Sequence, residues 1–267
     1  AIYGWAGADV QRFQDEPAKN IILPQSYRVP QAVQQIADQI LNRIPDNRRI
    51  KKQWASRPEG GSVDHVTSIE DVPLHQSDWL ILARTNDKLI KLKSILKEMA
   101  IYFEIKDRKS YKTRLYTAVK HYTRWTNGDK LSLSECKDLF EFLELEQELK
   151  EERMYDLKEF NYSIEDQWYE VFKSDPEECL YIREMLRNKE ELSHPARVKL
   201  STIHAAKGGE ATNVLIILDN TKKIREAVDK SEDKHDEEHR VWYVGVTRTK
   251  QNLYIMTPKR EDRSYDI

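Results

Sequence analysis

The sequence contains only two cysteines, Cys136 and Cys179, in 267 residues. Two thiols are too few for a disulfide framework, and these two lie too far apart for a paired metal knuckle. No stretch of the sequence approaches the roughly 20 apolar residues that a membrane span requires, and no secretory signal pattern is present. We therefore expect a soluble, intracellular (cytoplasmic) protein in which both cysteines are ordinary semi-buried thiols.

Glycine is also scarce, and none of the eight glycines belongs to a Gly-Lys-Ser or Gly-Lys-Thr sequence. A P-loop needs glycines that bring backbone N–H groups close to phosphate, followed by Lys and Ser or Thr. The sequence therefore lacks a nucleotide site that is complete on its own. Val214–Leu218 followed by Asp219 imitates a magnesium-binding strand end, but without a P-loop we interpret Asp219 as a strand terminus or cap.

Charge is balanced, with 44 basic and 46 acidic residues and a formal net charge of -2. The whole-chain field gives no sign of polyanion binding, so any nucleic-acid site must be local. The mixed charge runs 146–153 and 222–240 are interpreted as solvated helix faces or loops without functional weight.

The second charged run contains His235 and His239 at the spacing of zinc-protease ligands on a helix. Asp236 stands where such a site needs a glutamate as general base, and the surroundings are highly charged. We interpret this segment as the start of a surface helix and predict no metal site.

Short apolar runs alternate with helical patterns along most of the chain. Nearly continuous apolar segments predict strands that are buried on both faces, at 21–23, 79–83, 214–218 and 253–256. Apolar residues at helical spacing predict helices around 33–44 and 89–99. Val198–Thr202 alternates instead, as expected of a strand that leads into a functional loop. The pattern predicts an α/β protein with a parallel sheet covered by helices.

Residues 107–193 behave differently, because apolar residues from Leu115 to Trp125 keep helical spacing and no strand signal interrupts them. We interpret this region as an all-helical insertion. Ser132 and Glu135 predict a capping box at the start of one of its helices. The alternative, that these helices belong to the main domain, stays open.

Five segments carry the most specific signals. They are Ala1–Asp9 (AIYGWAGAD), Gln25–Arg28 (QSYR), Leu80–Asn86 (LILARTN), Ser201–Glu210 (STIHAAKGGE) and Glu237–Lys250 (EEHRVWYVGVTRTK). In this order they resemble the end of motif III, motif IV, a further family segment, motif V and motif VI of UvrD/Rep/PcrA-type superfamily 1 helicases. The sequence departs from these motifs at Ala6, where the family commonly has Arg, and at Gly209, where Leu is usual. The glutamine that opens motif III would precede Ala1.

The resemblance implies a RecA-like, P-loop NTPase-like second motor domain, called 2A, built from residues 21–106 and 194–267. Residues 1–20 would then hold the end of motif III and the link from a first motor domain. Residues 107–193 would be a reduced, helical counterpart of the family's 2B insertion.

For the nucleotide, the resemblance implies that Arg28 and Arg248 act as the catalytic cations. A second motor domain should aim cations at the γ-phosphate, where charge shifts during transfer, and the arginine fork grips two phosphate oxygens with a permanent charge. The resemblance also assigns Tyr27 to the adenine, Gly208 to the ATP site, and Glu210 to the ribose or to loop organisation. Seen alone, each arginine could simply pair with a surface carboxylate, and Tyr27 could pack in the core.

For the nucleic-acid track, sequence-tolerant binding needs ring faces for bases and donors for phosphates. The resemblance assigns Tyr3 and Trp5 to unpaired bases, although core burial is the simpler interpretation of Trp5. It assigns Thr202, His204 and Lys207 to the DNA backbone. Little sequence preference is expected, because none of them reads base edges.

The implied function is that of the C-terminal motor domain of an ATP-dependent 3′ to 5′ DNA helicase acting on single-stranded DNA. Its cofactors would be ATP and Mg²⁺, with the Mg²⁺ ligands on the first motor domain, so the 267 residues alone should not hydrolyse ATP. Expected partners are single-stranded DNA, the first motor domain and accessory proteins that bind the helical insertion. A non-catalytic, helicase-derived module that binds DNA or protein is the alternative. A helicase-like nuclease would need a carboxylate cluster and often four cysteines, whereas this sequence has only two cysteines.

Overall fold

The structure is a computed structural model that describes residues 2, 17, 24–49, 54–58, 60–147, 149–160, 162, 167–206, 208–258 and 263–267. Its strands are β1 (Gln25–Pro30), β2 (Ala55–Arg57), β3 (Ser62–Val66), β4 (Trp79–Ala83), β5 (Phe103–Ile105), β6 (Arg108–Lys109), β7 (Leu131–Ser132), β8 (Met154–Tyr155), β9 (Val198–Thr202), β10 (Ala211–Ile217) and β11 (Thr249–Met256). Its helices are α1 (Gln31–Asn42), α2 (Asn86–Glu98), α3 (Thr113–Thr126), α4 (Leu133–Leu143), α5 (Trp168–Val171), α6 (Pro176–Arg187), α7 (Lys222–Lys230) and α8 (Glu232–Val246). The chain divides into a first unit, Ala1–Ile95 with Arg197–Ile267, and a second unit, Leu96–Ala196.

A parallel sheet forms the centre of the first unit, and its described strands follow the order β3-β11-β10-β4-β9. The predicted strands 79–83 and 198–202 are confirmed as β4 and β9. The apolar runs at 214–218 and 253–256 lie almost entirely in the longer strands β10 and β11. All five residues of β4 are buried, as a continuous apolar run predicts for a strand covered on both faces. The predicted strand at 21–23 lies outside the described residues.

Helices supply the rest of the apolar core of the first unit. Val33, Ala37 and Ile40 recur every three or four residues in α1 and are all buried, which confirms the predicted helix. They share one core cluster with buried residues of β10 and with Trp242 of α8. Because each fully buried aliphatic side chain contributes about 1.5–3 kcal/mol, this shared cluster fixes the helices against the sheet.

The second unit is mostly helical. α3 buries the predicted set of apolar residues from Leu115 to Trp125. The predicted capping box begins α4: the Ser132 hydroxyl accepts from the Glu135 backbone N–H at 3.4 Å, and the Glu135 carboxylate accepts from the Ser132 N–H at 2.8 Å. These two reciprocal bonds satisfy donors that the first helical turn leaves free.

The prediction that residues 107–193 contain no strands is wrong in detail. Arg108–Lys109 pairs with the end of β5 in an antiparallel hairpin, and β7 pairs with β8. Lys106 and Asp107 connect the first hairpin with φ angles of 50° and 59°, as a two-residue turn of type I′ requires. Strands of two residues are too short to show alternation, so the sequence pattern could not predict them.

The cysteines are more buried than the sequence suggested, since Cys136 and Cys179 are 0% and 4% exposed. Burial raises the pKa of the Cys136 thiol to about 11 and also raises that of Cys179. Thiols with raised pKa values are poor nucleophiles. In the described parts of the chain, no helix is both long and apolar enough to span a bilayer.

The prediction that residues 222–240 are a solvated charged run is wrong for the middle of α8. Asp236, Glu238 and His239 are 2%, 4% and 6% exposed. Arg48 and Arg84, which are remote in sequence, form ion pairs with Asp236 and Glu238, respectively. Buried carboxylates are tolerated when such partners are present.

Gly61 precedes β3 with a φ of +92°, and an added Cβ would lie 2.3 Å from the Pro30 Cβ and 2.9 Å from the Gln251 backbone oxygen. We expect Gly61→Ala to lower the free energy of unfolding of the first unit by about 2–4 kcal/mol, because left-handed strain adds to overpacking. Urea unfolding followed by circular dichroism measures this loss.

The matched control is Gly208→Ala in the same unit, because Gly208 has a φ of +95° and no described atom lies within 4 Å of an added Cβ. Gly208→Ala introduces the left-handed strain without a steric clash and should lower the free energy of unfolding by about 1–2 kcal/mol. Equal losses in the two variants would show that the contacts with Pro30 and Gln251 do not matter.

Candidate functional site

The segment Ile203–Glu210 connects β9 to β10 and crosses the sheet, and we call it the crossover segment. β9 and β10 are both parallel to β4, which lies between them. The chain therefore leaves the carboxyl edge of the sheet after Thr202 and returns to the amino edge at Glu210. Ile203 and Ala206 are buried and belong to the core, so the segment is packed against the protein between its ends.

A group of charged residues surrounds Glu210 at the amino edge. Its carboxylate accepts from Arg28 Nη1 at 3.2 Å and from Lys250 Nζ at 2.8 Å. The hydrogen bond from Lys250, and then that from Arg28, hold the pKa of Glu210 below its ordinary value. Arg248 lies just past the end of α8, and we call Arg28, Arg248 and Lys250 the cationic cluster. The sequence-predicted residues Arg28, Glu210 and Arg248 therefore meet in one place.

Arg248 is bound by backbone carbonyl groups. Its Nε donates to the Val244 oxygen at 3.0 Å and its Nη1 to the Gly209 oxygen at 3.5 Å, and no carboxylate of a described residue forms an ion pair with it. Burial, followed by the charge of Arg28, lowers the pKa of Arg248. A half-buried guanidinium beside a second cation would be stabilised by an anion such as phosphate.

Arg28 pairs with a carboxylate, as the simpler interpretation of an isolated arginine predicted. That carboxylate is Glu210, itself one of the predicted nucleotide residues. The Nε of Arg28 is buried and has no hydrogen-bond partner among the described residues. Since a buried donor without a partner is costly, the pair with Glu210 does not satisfy all the donors of Arg28.

Two further residues that were predicted to bind the nucleotide are exposed at the protein surface. Tyr27 in β1 is 86% exposed, so the interpretation of this ring as core packing is wrong. Gly208 is exposed, and its φ of +95° is one that glycine adopts without strain. Both residues could meet a ligand from solvent.

The carboxyl edge holds the predicted DNA residues Thr202 and His204. The Thr202 hydroxyl accepts from the Ala205 N–H at 3.2 Å and keeps its own proton to donate. His204 Nε2 lies 3.0 Å from the Ile2 carbonyl oxygen, and burial, followed by the charge of Arg84, lowers the pKa of His204. Since a carbonyl can only accept, the neutral imidazole carries its proton on Nε2. A phosphate contact through Nε2 therefore requires the bond to Ile2 to break.

The remaining predicted DNA residues, Tyr3, Trp5 and Lys207, lie outside the described residues, as do Ala6 and the rest of its motif apart from Ile2. The described part of the predicted set thus forms two groups. Arg28, Glu210 and Arg248 lie at the amino edge, and Thr202 and His204 lie at the carboxyl edge.

Sequence reasoning missed the role of Lys250, although the residue closes the last of the quoted segments. It also missed the pairing of Glu238 with Arg84, whose Nε lies 3.0 Å from both carboxylate oxygens and whose Nη2 lies 2.9 Å from one of them. Trp242 Nε1 donates to the same carboxylate at 2.7 Å. These bonds fix α8, and with it Arg248, to the end of β4.

Asp219 follows β10 and accepts from Lys88, and it forms an isolated backbone bridge with Ser264. It therefore lies at a strand end, where the sequence placed it. Its second carboxylate oxygen is buried and has no hydrogen-bond partner among the described residues.

The UvrD-like helicase C-terminal domain family matches residues 109–260, more than half of the chain. Among solved structures, the chain is similar to the C-terminal domain of a possible DNA helicase from Lactobacillus plantarum WCFS1, with 12% identity, a TM-score of 0.26, and coverage of 87% of this chain and 88% of that one. No curated protein matches the chain. The family match includes the crossover segment and Arg248, and this chain belongs to the UvrD-like helicase C-terminal domain family.

Proposed function

We propose that this chain is the RecA-like second motor domain of an ATP-dependent DNA helicase that moves 3′ to 5′ on single-stranded DNA. The observation that carries the proposal is the convergence of Arg28, Arg248 and Lys250 around Glu210 at one edge of a parallel sheet. Family membership supports the helicase class. We also propose that residues 107–193 form a reduced counterpart of the 2B insertion of these helicases.

The chemistry is phosphoryl transfer to water, in which the protein acts mainly by positioning and by stabilising charge. ATP binds with Mg²⁺ between this domain and a first motor domain, which supplies the P-loop and the Mg²⁺ ligands. Arg248 donates to the γ-phosphate, and Arg28 does so when the phosphate competes with Glu210 for its guanidinium. Tyr27 stacks on the adenine, and Gly208 and Glu210 line the nucleotide.

The DNA track lies at the opposite edge, where Thr202 and His204 contact the phosphate backbone together with Lys207, and Tyr3 and Trp5 stack on bases. His204 exchanges its bond with Ile2 for one with the DNA. The crossover segment joins both sites in one continuous stretch of chain. We propose that it couples the occupancy of the nucleotide site to the position of the DNA.

Strand displacement by the complete protein tests this function. The protein is mixed with Mg²⁺, ATP and a duplex that carries either a 3′ or a 5′ single-stranded tail. We expect displacement from the 3′-tailed duplex only, and none when a non-hydrolysable ATP analogue replaces ATP.

The 267-residue chain alone serves as the second arm and should not hydrolyse ATP. DNA binding by the complete protein without ATP-dependent displacement would identify a non-catalytic module instead. Hydrolysis by the isolated chain at an ordinary helicase rate would show that the proposed division of the site between two domains is wrong.

A further inference from the structure

Two histidines face each other on α8, away from the cationic cluster. His235 and His239 lie one helical turn apart, and their Nε2 atoms are 3.0 Å from each other. The ring planes meet at 83°. His239 is buried and the His235 side chain is 39% exposed, so solvent reaches the pair from one side only.

The other ring nitrogen of each histidine is also bound. His235 Nδ1 lies 3.3 Å from Asp236 Oδ1, and His239 Nδ1 contacts the Tyr265 hydroxyl. An ionised carboxylate only accepts hydrogen bonds, so His235 carries a proton on Nδ1, and the neutral ring presents the lone pair of Nε2 to His239. When Tyr265 accepts from His239 Nδ1, the two Nε2 lone pairs face each other and a cation between them would be stabilised.

The charges around the pair are nearly balanced. Asp236 forms ion pairs with Arg48 at 2.9 Å and with Arg240 at 3.9 Å, and Arg48 also pairs with Glu232. The guanidinium of Arg43 lies 5.5 Å from the centre of the Tyr265 ring. Burial, followed by the neighbouring His235, lowers the pKa of His239 to about 4.

We propose that His235 and His239 chelate one transition-metal dication, such as Zn²⁺, Ni²⁺ or Cu²⁺, through their Nε2 atoms. Two nitrogen ligands about 2.0–2.1 Å from one metal ion lie roughly 2.8–3.4 Å apart in octahedral to tetrahedral geometry, and the observed 3.0 Å lies within this range. Asp236 and Tyr265 act as the outer partners that orient ligating imidazoles.

Water completes the coordination shell, because the described residues bring no group of three or more His, Cys, Asp or Glu side chains together around a metal. The pair lacks the glutamate that a zinc protease uses as a general base, so it is a binding site and not a hydrolytic one. A two-ligand site should follow the usual order of affinity, with Cu²⁺ bound more tightly than Ni²⁺ or Zn²⁺.

Isothermal titration calorimetry of the metal-free chain with ZnCl₂ and NiCl₂ at pH 7.5 tests the proposal. We expect saturable binding of one ion per chain. His235→Gln removes the more exposed ligand and should weaken binding at least about tenfold, since losing even an outer-shell partner has such an effect. His75→Gln changes an exposed histidine before β4 and should leave the affinity unchanged.

Thermal unfolding provides a second readout that does not depend on variants of the buried His239. Zinc at about one hundred times its Kd should raise the Tm of the wild type by roughly 5–10 °C and should do so much less in His235→Gln at the same concentration. Absence of saturable binding would overturn the proposal. So would binding that is unchanged in His235→Gln, or a Tm that zinc does not raise.

Discussion

Arg248→Ala in the complete protein should lower DNA-stimulated ATP turnover by about 10²–10⁴-fold, because the proposed function makes Arg248 a cation aimed at the phosphoryl group. The guanidinium is held by the Val244 and Gly209 carbonyl oxygens, so its position is fixed before nucleotide binds. Steady-state ATP hydrolysis with saturating single-stranded DNA measures the loss. Arg248→Lys should restore little, since an ammonium cannot reproduce the two-pronged contact of the fork.

The control for this prediction is Arg187→Ala, which removes an exposed arginine that forms an ion pair with Glu184 in its own helical turn. It should leave turnover unchanged. Affinity for single-stranded DNA should survive in Arg248→Ala and Arg28→Ala, because both residues lie at the edge of the sheet opposite Thr202 and His204. Near-wild-type turnover in both of these variants would exclude the charge-stabilising role.

Glu238→Ala should lower the free energy of unfolding of the first unit by about 3–5 kcal/mol, because it leaves a buried ion-pair partner uncompensated. Glu238 is 4% exposed and accepts hydrogen bonds from both Arg84 and Trp242. Its removal leaves both the Arg84 guanidinium and the Trp242 indole N–H without this acceptor. Urea unfolding followed by tryptophan fluorescence measures the change, and Trp242 itself reports on the site.

The adjacent residue supplies a matched control, because Glu237 lies on the same helix and pairs with Lys234 three residues away near the surface. Glu237→Ala should change stability by less than about 1 kcal/mol. Glu238→Gln should fall between the two, since its amide oxygen can still accept from Trp242. If Glu237→Ala and Glu238→Ala lower the free energy of unfolding by the same amount, the ion pair between Glu238 and Arg84 does not anchor α8.

The local sequence pattern was sufficient to predict the elements that are long and apolar. Trp79–Ala83 is apolar throughout and buried throughout, so composition alone predicts a central strand. The Ser132 and Glu135 cap was predictable because both of its hydrogen bonds are made within four residues. The position of Arg28 near Arg248 was not predictable from spacing, and the resemblance to helicase motifs supplied it.

What the sequence could not show depends on partners that are distant along the chain. Asp236 and Glu238 were interpreted as solvated because they belong to a mixed run of charges, whereas Arg48 and Arg84, which are remote in sequence, pair with them in the fold. Lys250 meets Glu210 only because β10 and β11 are paired, with Ala211 opposite Thr249. The facing lone pairs of His235 and His239 depend on Tyr265, which is 26 residues beyond His239.

The crossover segment has little spare length. Fully extended, the chain from Ile203 to Glu210 would reach at most about 26–29 Å. It must span at least about 19 Å, because it travels about 16 Å back along β9 and about 10 Å sideways across two strand spacings. The remaining length is taken up by two turns, in which the Ala206 N–H donates to the Thr202 carbonyl and the Gly209 N–H donates to the Ala206 carbonyl, and the buried side chains of Ile203 and Ala206 hold the segment to the core. The number of residues between His204 and Glu210 is therefore set by the dimensions of the sheet. The segment is a rigid connection between the two edges of the sheet and not a flexible loop.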